Sequence, residues 1–356
     1  MKAAVYYGAH DVRVEERPTP IRQEGEALVR VLRSGMCGTD ATEWRSGPHL
    51  FATRDTPHPV TGHTGPMILG HEFIGEIVEV GPGTGFAVGD VVAAGAGVWC
   101  GECPRCLEGR TNLCWSYKTL GLNVDGGMAE FVSAPEKMLA AIPDGLALDA
   151  AGLSQPLAVG LHAARRSGAQ DGDRVVLIGA GAIGTFVLAG LLSLADVEVT
   201  VVDFAGARLD RAVRVGAAHA VAAGDDVVAR VLAEVGARGA DVVIEASGAP
   251  GQLANAIKMV RSGGSILQVG LPGTPPEIDI ASIVIREVVI RTTNAHVYSQ
   301  DLGPALELLQ RTDLATELLD SVRPLDDIVE QLERLATGKL EGKVLFDPAL
   351  LPSPAA

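Results

Sequence analysis

The stretch VVLIGAGAIG, residues 175–184, constrains this chain more than any other. Its apolar run has no polar face, which suits a strand buried on both sides of a parallel sheet. Gly179, Gly181 and Gly184 follow as G-x-G-x-x-G, and AIGTFVLAGLLSLA then carries helical periodicity. Strand, glycine turn and helix in this order open a βαβ unit that receives a dinucleotide. Gly179 allows the tight turn, Gly181 lets the backbone approach a pyrophosphate, and Gly184 lets helix and strand pack closely. The helix start, with Ala182 and Ile183, offers free N–H groups and a positive dipole end to the phosphates. Asp203 closes the next apolar run, VTVVD, nineteen residues past Gly184. Its carboxylate accepts from the adenosine ribose hydroxyls and repels a 2′-phosphate, so the expected cofactor is NAD rather than NADP. Arg208 is expected against the adenine edge, because Asp203 holds the ribose position. The competing reading is a glycine turn that merely joins two strands.

The same rhythm continues through ADVVIEAS (240–247) and SILQVG (265–270). Repeated strand–helix units predict an α/β fold, a Rossmann-type doubly wound parallel sheet over residues 157–296. Residues 1–156 differ, with frequent Gly and Pro and short β-type runs such as MKAAVYY, EALVRVLRSG, EFIGEIVEVG and AEFVSAP. These predict a β-rich, partly barrel-like domain. Residues 297–356 read as helices (LGPALELLQ, LDDIVEQLERLATG), a strand in GKVLFD and a loose end in LPSPAA. Aromatics are only 4% of the chain, so the cores must be built from Ala, Val, Ile and Leu. A formal charge of −15 argues against nucleic acid and anionic membrane surfaces, whose binding needs Lys and Arg. The N-terminus turns polar within about ten residues and no apolar run reaches membrane-spanning length. The expectation is a cytoplasmic protein with reduced thiols.

Four of the five cysteines, Cys100, Cys103, Cys106 and Cys114, fall in CGECPRCLEGRTNLC. The spacing C-x2-C-x2-C-x7-C lets successive thiolates converge on one tetrahedral Zn²⁺ in a lobe of about residues 95–116. With four sulfurs no coordination position stays open, so this zinc is expected to be structural. Two disulfides would be unusual in the cytosol, and an iron–sulfur cluster would need a different run. Cys37, in MCGTD, stands alone; His71 and Glu72 follow in LGHE. Sulfur, imidazole and carboxylate together suit an open catalytic zinc site, while each residue alone suits inert packing. Spacing leaves both readings standing.

The combination of CGTD, GHE, the four-cysteine lobe, GAGAIG and Asp203, in this order over essentially the whole chain, resembles the zinc-dependent medium-chain alcohol dehydrogenase superfamily. The resemblance implies a GroES-like catalytic domain beside the Rossmann domain, and two zinc ions per chain. It makes Cys37, His71 and Glu72 ligands of a catalytic zinc and Thr39 the hydroxyl that takes the proton of the reacting alcohol. LSQPLAVGLHA places Gln155 where the family carries glutamate, so Gln155 would ligate directly through its carbonyl oxygen or through a water. Thr42 stands where close relatives carry a relay histidine; water, or His49, His58 or His63, would have to serve instead. Those three histidines read equally as solvated loop residues. Val269, Gly270 and Leu271 would hold the nicotinamide carboxamide through backbone groups. Lys343 would meet the pyrophosphate, against an exposed strand-end lysine. Trp44 would form a pocket wall or pack in the core. The family is dimeric or tetrameric and acts on small alcohols and ketones. MKAAVYYGAHDVRVEE and HPVTGHTGPMILGHEF look most like members acting on 2,3-butanediol and acetoin. Sugar and cyclic-polyol dehydrogenases are the nearest competitors, and a non-enzymatic zinc-stabilised binding protein is the remote one.

Overall fold

Alternation along single strands explains the α/β half of the chain. In the computed structural model, which describes residues 1–53 and 55–351, six parallel strands form one sheet. They are β1 (Arg174–Ile178), β2 (Glu198–Asp203), β3 (His219–Ala222), β4 (Ala240–Glu245), β5 (Val260–Gln268) and β6 (Val289–Thr292), in the order β3-β2-β1-β4-β5-β6. Val175 and Leu177 of β1 pack into one core with Val187, Leu188 and Leu191 of the following helix, Ala182–Leu194. Val176 and Ile178 pack on the opposite face with Val227, Val231 and Ala256. Both faces are covered, so the apolar run needs no polar alternation. This is a doubly wound sheet with its strand order reversing beside β1, where ligands bind at the strands' carboxyl ends. The two outermost strands, β3 and β6, lie outside the apolar runs of the sequence. Edge strands are half-covered, and Val289 and Ile290 of β6 are exposed.

Pro156–His296 form this compact unit; Met1–Gln155 and Val297–Ala356 form another. The second is built on a seven-stranded sheet in which Glu26–Gly35 is central. That strand pairs antiparallel with Glu72–Glu79, with Phe131–Pro135 and with Lys343–Asp347. Its Ala27, Val29 and Val31 join Phe73, Ile77, Val92 and Val132 in a core of mostly small aliphatic side chains. The closing GKVLFD strand thus returns the chain's end to its beginning. The loose end predicted for LPSPAA falls, from residue 352 onward, outside the described residues. Among the described residues no helix is long and apolar enough to cross a membrane.

Candidate active site and metal centres

Register brings the metal-ligating residues together. Glu72 begins its strand opposite Gly35, and Leu345 of the closing strand also pairs Gly35. Cys37 follows two residues later as the N-cap of helix Gly38–Ser46, where its N–H donates to Asp40 Oδ2 at 2.9 Å. That bond satisfies an otherwise unpaired donor at the helix start. Two glycines leave the room. A Cβ on Gly35 would lie 2.4 Å from Glu72 Oε2, and one on Gly70, at φ +99°, would lie 2.5 Å from the backbone nitrogen of Met128. The G of LGHE is therefore a steric requirement of the histidine beside it.

The outcome is one cluster: ligand atoms of Cys37, His71 and Glu72 all lie within 4.8 Å of one another. Thr39 Oγ1 is 3.8 Å from Cys37 Sγ. Gln155 is buried, 7% exposed, in the first turn of helix Ser154–Ser167. Asp40, absent from the sequence-based site, is fully buried, with Oδ1 3.8 Å from His71 Nδ1. Burial pushes its carboxyl pKa up. For His71 burial opposes protonation, but the negative Cys37, Asp40 and Glu72 outweigh it and raise the pKa to about 9. Sulfur, imidazole and carboxyl donors converging here, with a second buried carboxyl group beside them, are the chemistry of a cation site.

Lys343 is buried. Its strand pairing draws the stem inward, and Nζ lies 2.5 Å from Glu72 Oε2 and donates to the Met36 carbonyl at 2.6 Å. It is therefore not an exposed strand-end lysine. Burial works to lower its pKa, but Glu72 and Cys37 outweigh that and raise it. Thr42 is exposed. His49 sits by Ser46 Oγ at 3.0 Å, His58 accepts from the Thr61 N–H, and among the described residues none of His49, His58 and His63 bonds to the cluster. Trp44 packs in the core with Tyr6 and Phe51, edge-on to His10.

The four-cysteine lobe has its own geometry. Sulfur separations are 3.5 Å for Cys100–Cys114, 3.6 Å for Cys103–Cys106 and 4.0 Å for Cys100–Cys106. A tetrahedral zinc with bonds of about 2.3 Å sets its sulfurs about 3.8 Å apart. A disulfide needs about 2.05 Å, and all five cysteines are unpaired. Sulfurs this close have room for a single ion and none for a multi-iron cage. The N–H groups of Cys100 and Ser116 donate to Cys114 Sγ, and that of Cys103 to Cys100 Sγ. The Trp115 N–H leads the effects holding the Cys103 thiol down at about 6, whereas burial pushes Cys106 up to about 12.

In the other unit the glycine turn has the form the sequence predicts. Gly179 adopts φ +102°, and a Cβ on Gly184 would lie 1.9 Å from the Gly179 carbonyl oxygen. Gly184→Ala should therefore destabilise this unit by about 1–3 kcal/mol. Chemical denaturation would check it. Gly181 is different: φ is −64° and nothing lies within 4 Å of its Cβ position, so the space over the turn is open. An open approach at that glycine fits a pyrophosphate lying against the backbone. Asp203 accepts from the Ala180 N–H at 2.6 Å and from the Phe204 N–H at 2.7 Å, and Arg208 follows in the first turn of helix Ala207–Val215. The N–H groups of Val269 and Gly270 are spent on the Glu245 carbonyl, at 2.8 and 2.9 Å. Of the three residues expected to hold a carboxamide, Leu271 alone keeps an N–H without a backbone partner among the described residues.

Comparison with known proteins decides the family. Residues 23–144 match the alcohol dehydrogenase GroES-like domain and residues 182–311 the zinc-binding dehydrogenase domain. The (R,R)-butanediol dehydrogenase of Bacillus subtilis (strain 168) is 34% identical over 98% of this chain and 100% of its own length. The chain belongs to the zinc-dependent medium-chain alcohol dehydrogenase family. It is an oxidoreductase with that family's α/β and GroES-like architecture. The sorbitol dehydrogenase of the same organism is 34% identical over 76% of this chain and 75% of its own. The crystal structure of 2R,3R-butanediol dehydrogenase from Bacillus subtilis superposes with a TM-score of 0.88 at 32% identity, covering 98% of this chain and 99% of that one.

Proposed function

We propose that this dehydrogenase uses NAD to interconvert a vicinal secondary diol of the 2,3-butanediol type and its hydroxyketone. The observation that carries the chemistry is the Cys37–His71–Glu72 cluster, three donors of different kinds converging in a buried place. The full-length likeness to a butanediol dehydrogenase supports the substrate class. Cys37, His71 and Glu72 would hold a catalytic zinc with Gln155 nearby, and Cys100, Cys103, Cys106 and Cys114 a structural one. A zinc in the first site supplies Lewis-acid polarisation of the substrate oxygen, and NAD supplies the hydride acceptor. The chain's own groups do the rest. Asp40 Oδ1 lies 3.8 Å from His71 Nδ1, too far for a hydrogen bond, so Asp40 acts on the ring as a close buried neighbour. Lys343 offsets the charge of Glu72, so that the carboxylate is shared between an ammonium and the metal position. Thr39 takes the hydroxyl proton of the alcohol. With Thr42 exposed and, among the described residues, none of His49, His58 and His63 bonded to the cluster, that proton leaves through water.

Asp203 sets the cofactor choice. Asp203→Ser removes the repulsion of a 2′-phosphate and the acceptor for the ribose, so the NAD/NADP ratio of kcat/KM should fall about 10–100-fold. An unchanged ratio would remove its role. Gly181→Ala should leave stability unchanged or raise it by up to about 1 kcal/mol, yet weaken dinucleotide binding, because the new methyl fills the open space over the turn.

A second reading, a sorbitol-type or cyclic-polyol dehydrogenase, is favoured by Gln155 and Thr42, which depart from the butanediol pattern. One panel separates the two: butanediol stereoisomers, acetoin, sorbitol, glucose and simple alcohols, followed at the reduced-nicotinamide band. The highest kcat/KM is expected for a butanediol stereoisomer and acetoin. A higher value for sorbitol or a sugar would overturn the butanediol assignment.

A further inference from the structure

Glu245 ends β4 with its carboxylate 1% exposed, and no motif in the sequence singles it out. Its Oε1 accepts from the Ser247 N–H at 2.8 Å, the Gly248 N–H at 3.0 Å and the Ser247 hydroxyl. Its Oε2 accepts from Gln268 Nε2 at 2.5 Å. Its backbone carbonyl takes the N–H groups of Val269 and Gly270. The same Gln268 amide donates to the Gly270 carbonyl at 2.7 Å. One side chain and one peptide thus tie together the loops that leave β4 and β5 at their carboxyl ends. A Cβ on Gly270 would lie 2.1 Å from the Gly248 nitrogen, so the two loops already touch backbone to backbone. Among the described residues no lysine or arginine pairs with Glu245. A buried carboxylate without a counter-ion is tolerated when several donors surround it, and those donors are then held firmly.

We infer that Glu245 is a positioning residue for the dinucleotide: it fixes the backbone of residues 247–248 and 269–270 in the shape that receives the cofactor. Open α/β sheets bind their ligands in the crevice beyond these strand ends. Loops left unfixed would have to be ordered by the cofactor itself, which weakens binding. The inference rests on the NAD reading above.

Glu245→Gln keeps the shape but turns one acceptor into a donor facing Ser247, Gly248 or Gln268. Turning the Gln268 amide to meet it would set that amide's oxygen against the Gly270 carbonyl. The NADH dissociation constant, measured by fluorescence titration of the full chain, should rise at least about tenfold. KM for NAD⁺ should rise with it, while kcat at saturation moves less. Glu245→Asp should fall between the variant and the native protein. Gln268→Leu, which deletes one tie and leaves the carboxylate, should weaken NADH several-fold and decides alone if Glu245→Gln does not fold. Ile266→Val loosens the core of β5 without touching either loop and should leave the constant within about twofold. NADH affinity unchanged in Glu245→Gln, or in Gln268→Leu, overturns the inference, as does an Ile266→Val effect of equal size. A native protein that binds no NADH would instead sink the NAD reading itself.

Discussion

His71→Ala should abolish turnover, lowering kcat by about 10⁴-fold or more, while the NADH dissociation constant stays within about twofold. The expectation follows from where the residue sits. Among the described residues His71 is the nitrogen donor of a cluster whose other donors are the Cys37 sulfur and the Glu72 carboxyl group. Removing it leaves two donors beside Asp40 and Lys343, and a cation bound by so few donors is held poorly. A polarising ion contributes several kcal/mol to the transition state, and each 1.36 kcal/mol is a factor of ten. The glycine turn and Asp203, the residues proposed to bind the nucleotide, belong to the other compact unit and are left unchanged. Cys37→Ala should behave the same way. Steady-state kinetics with NADH titration on the same samples measure both halves. Retained turnover in either variant would remove the assigned chemistry; loss of NADH binding in parallel would mean the fold had failed.

Cys103→Ser with Cys114→Ser should lower thermal stability by roughly 3 kcal/mol or more, a fall in melting temperature of about 10 °C. The lobe has little else to hold it. Leu107 is 76% and Trp115 71% exposed, and from Cys100 to Ser116 the buried side chains are Cys103, Asn112 and Cys114. With no apolar core, the four sulfurs and their N–H donors carry the structure, and a closed four-sulfur site contributes folding energy outright. Calorimetry of the variant beside the native protein checks this. A melting temperature within about 2 °C of native would mean the lobe stands without its metal.

Features carried by local spacing were legible in the sequence. The glycine turn, the strand before it and Asp203 lie within thirty residues, and the four cysteines within fifteen. Geometry that depends on register between distant strands was not. Nothing near Lys343 in the chain announces Glu72, yet Gly35 pairs with Glu72 on one strand and with Leu345, two residues past Lys343, on the other, and the two side chains meet. Asp40 was hidden for a different reason: an acid in a first helical turn ordinarily faces solvent, and only burial against His71 gives it a task. Glu245 escaped because an acid closing an apolar strand carries no spacing signal of its own. Its meaning comes from β5 and its loop, more than twenty residues on.

Two separate metal centres are expected, one of them built by Cys37, His71 and Glu72. Elemental analysis of the native protein and of His71→Ala, purified without chelator, tests this most directly. The native protein should carry about two zinc ions per chain and the variant about one. One zinc or none in the native protein, or an equal count in both, would contradict it.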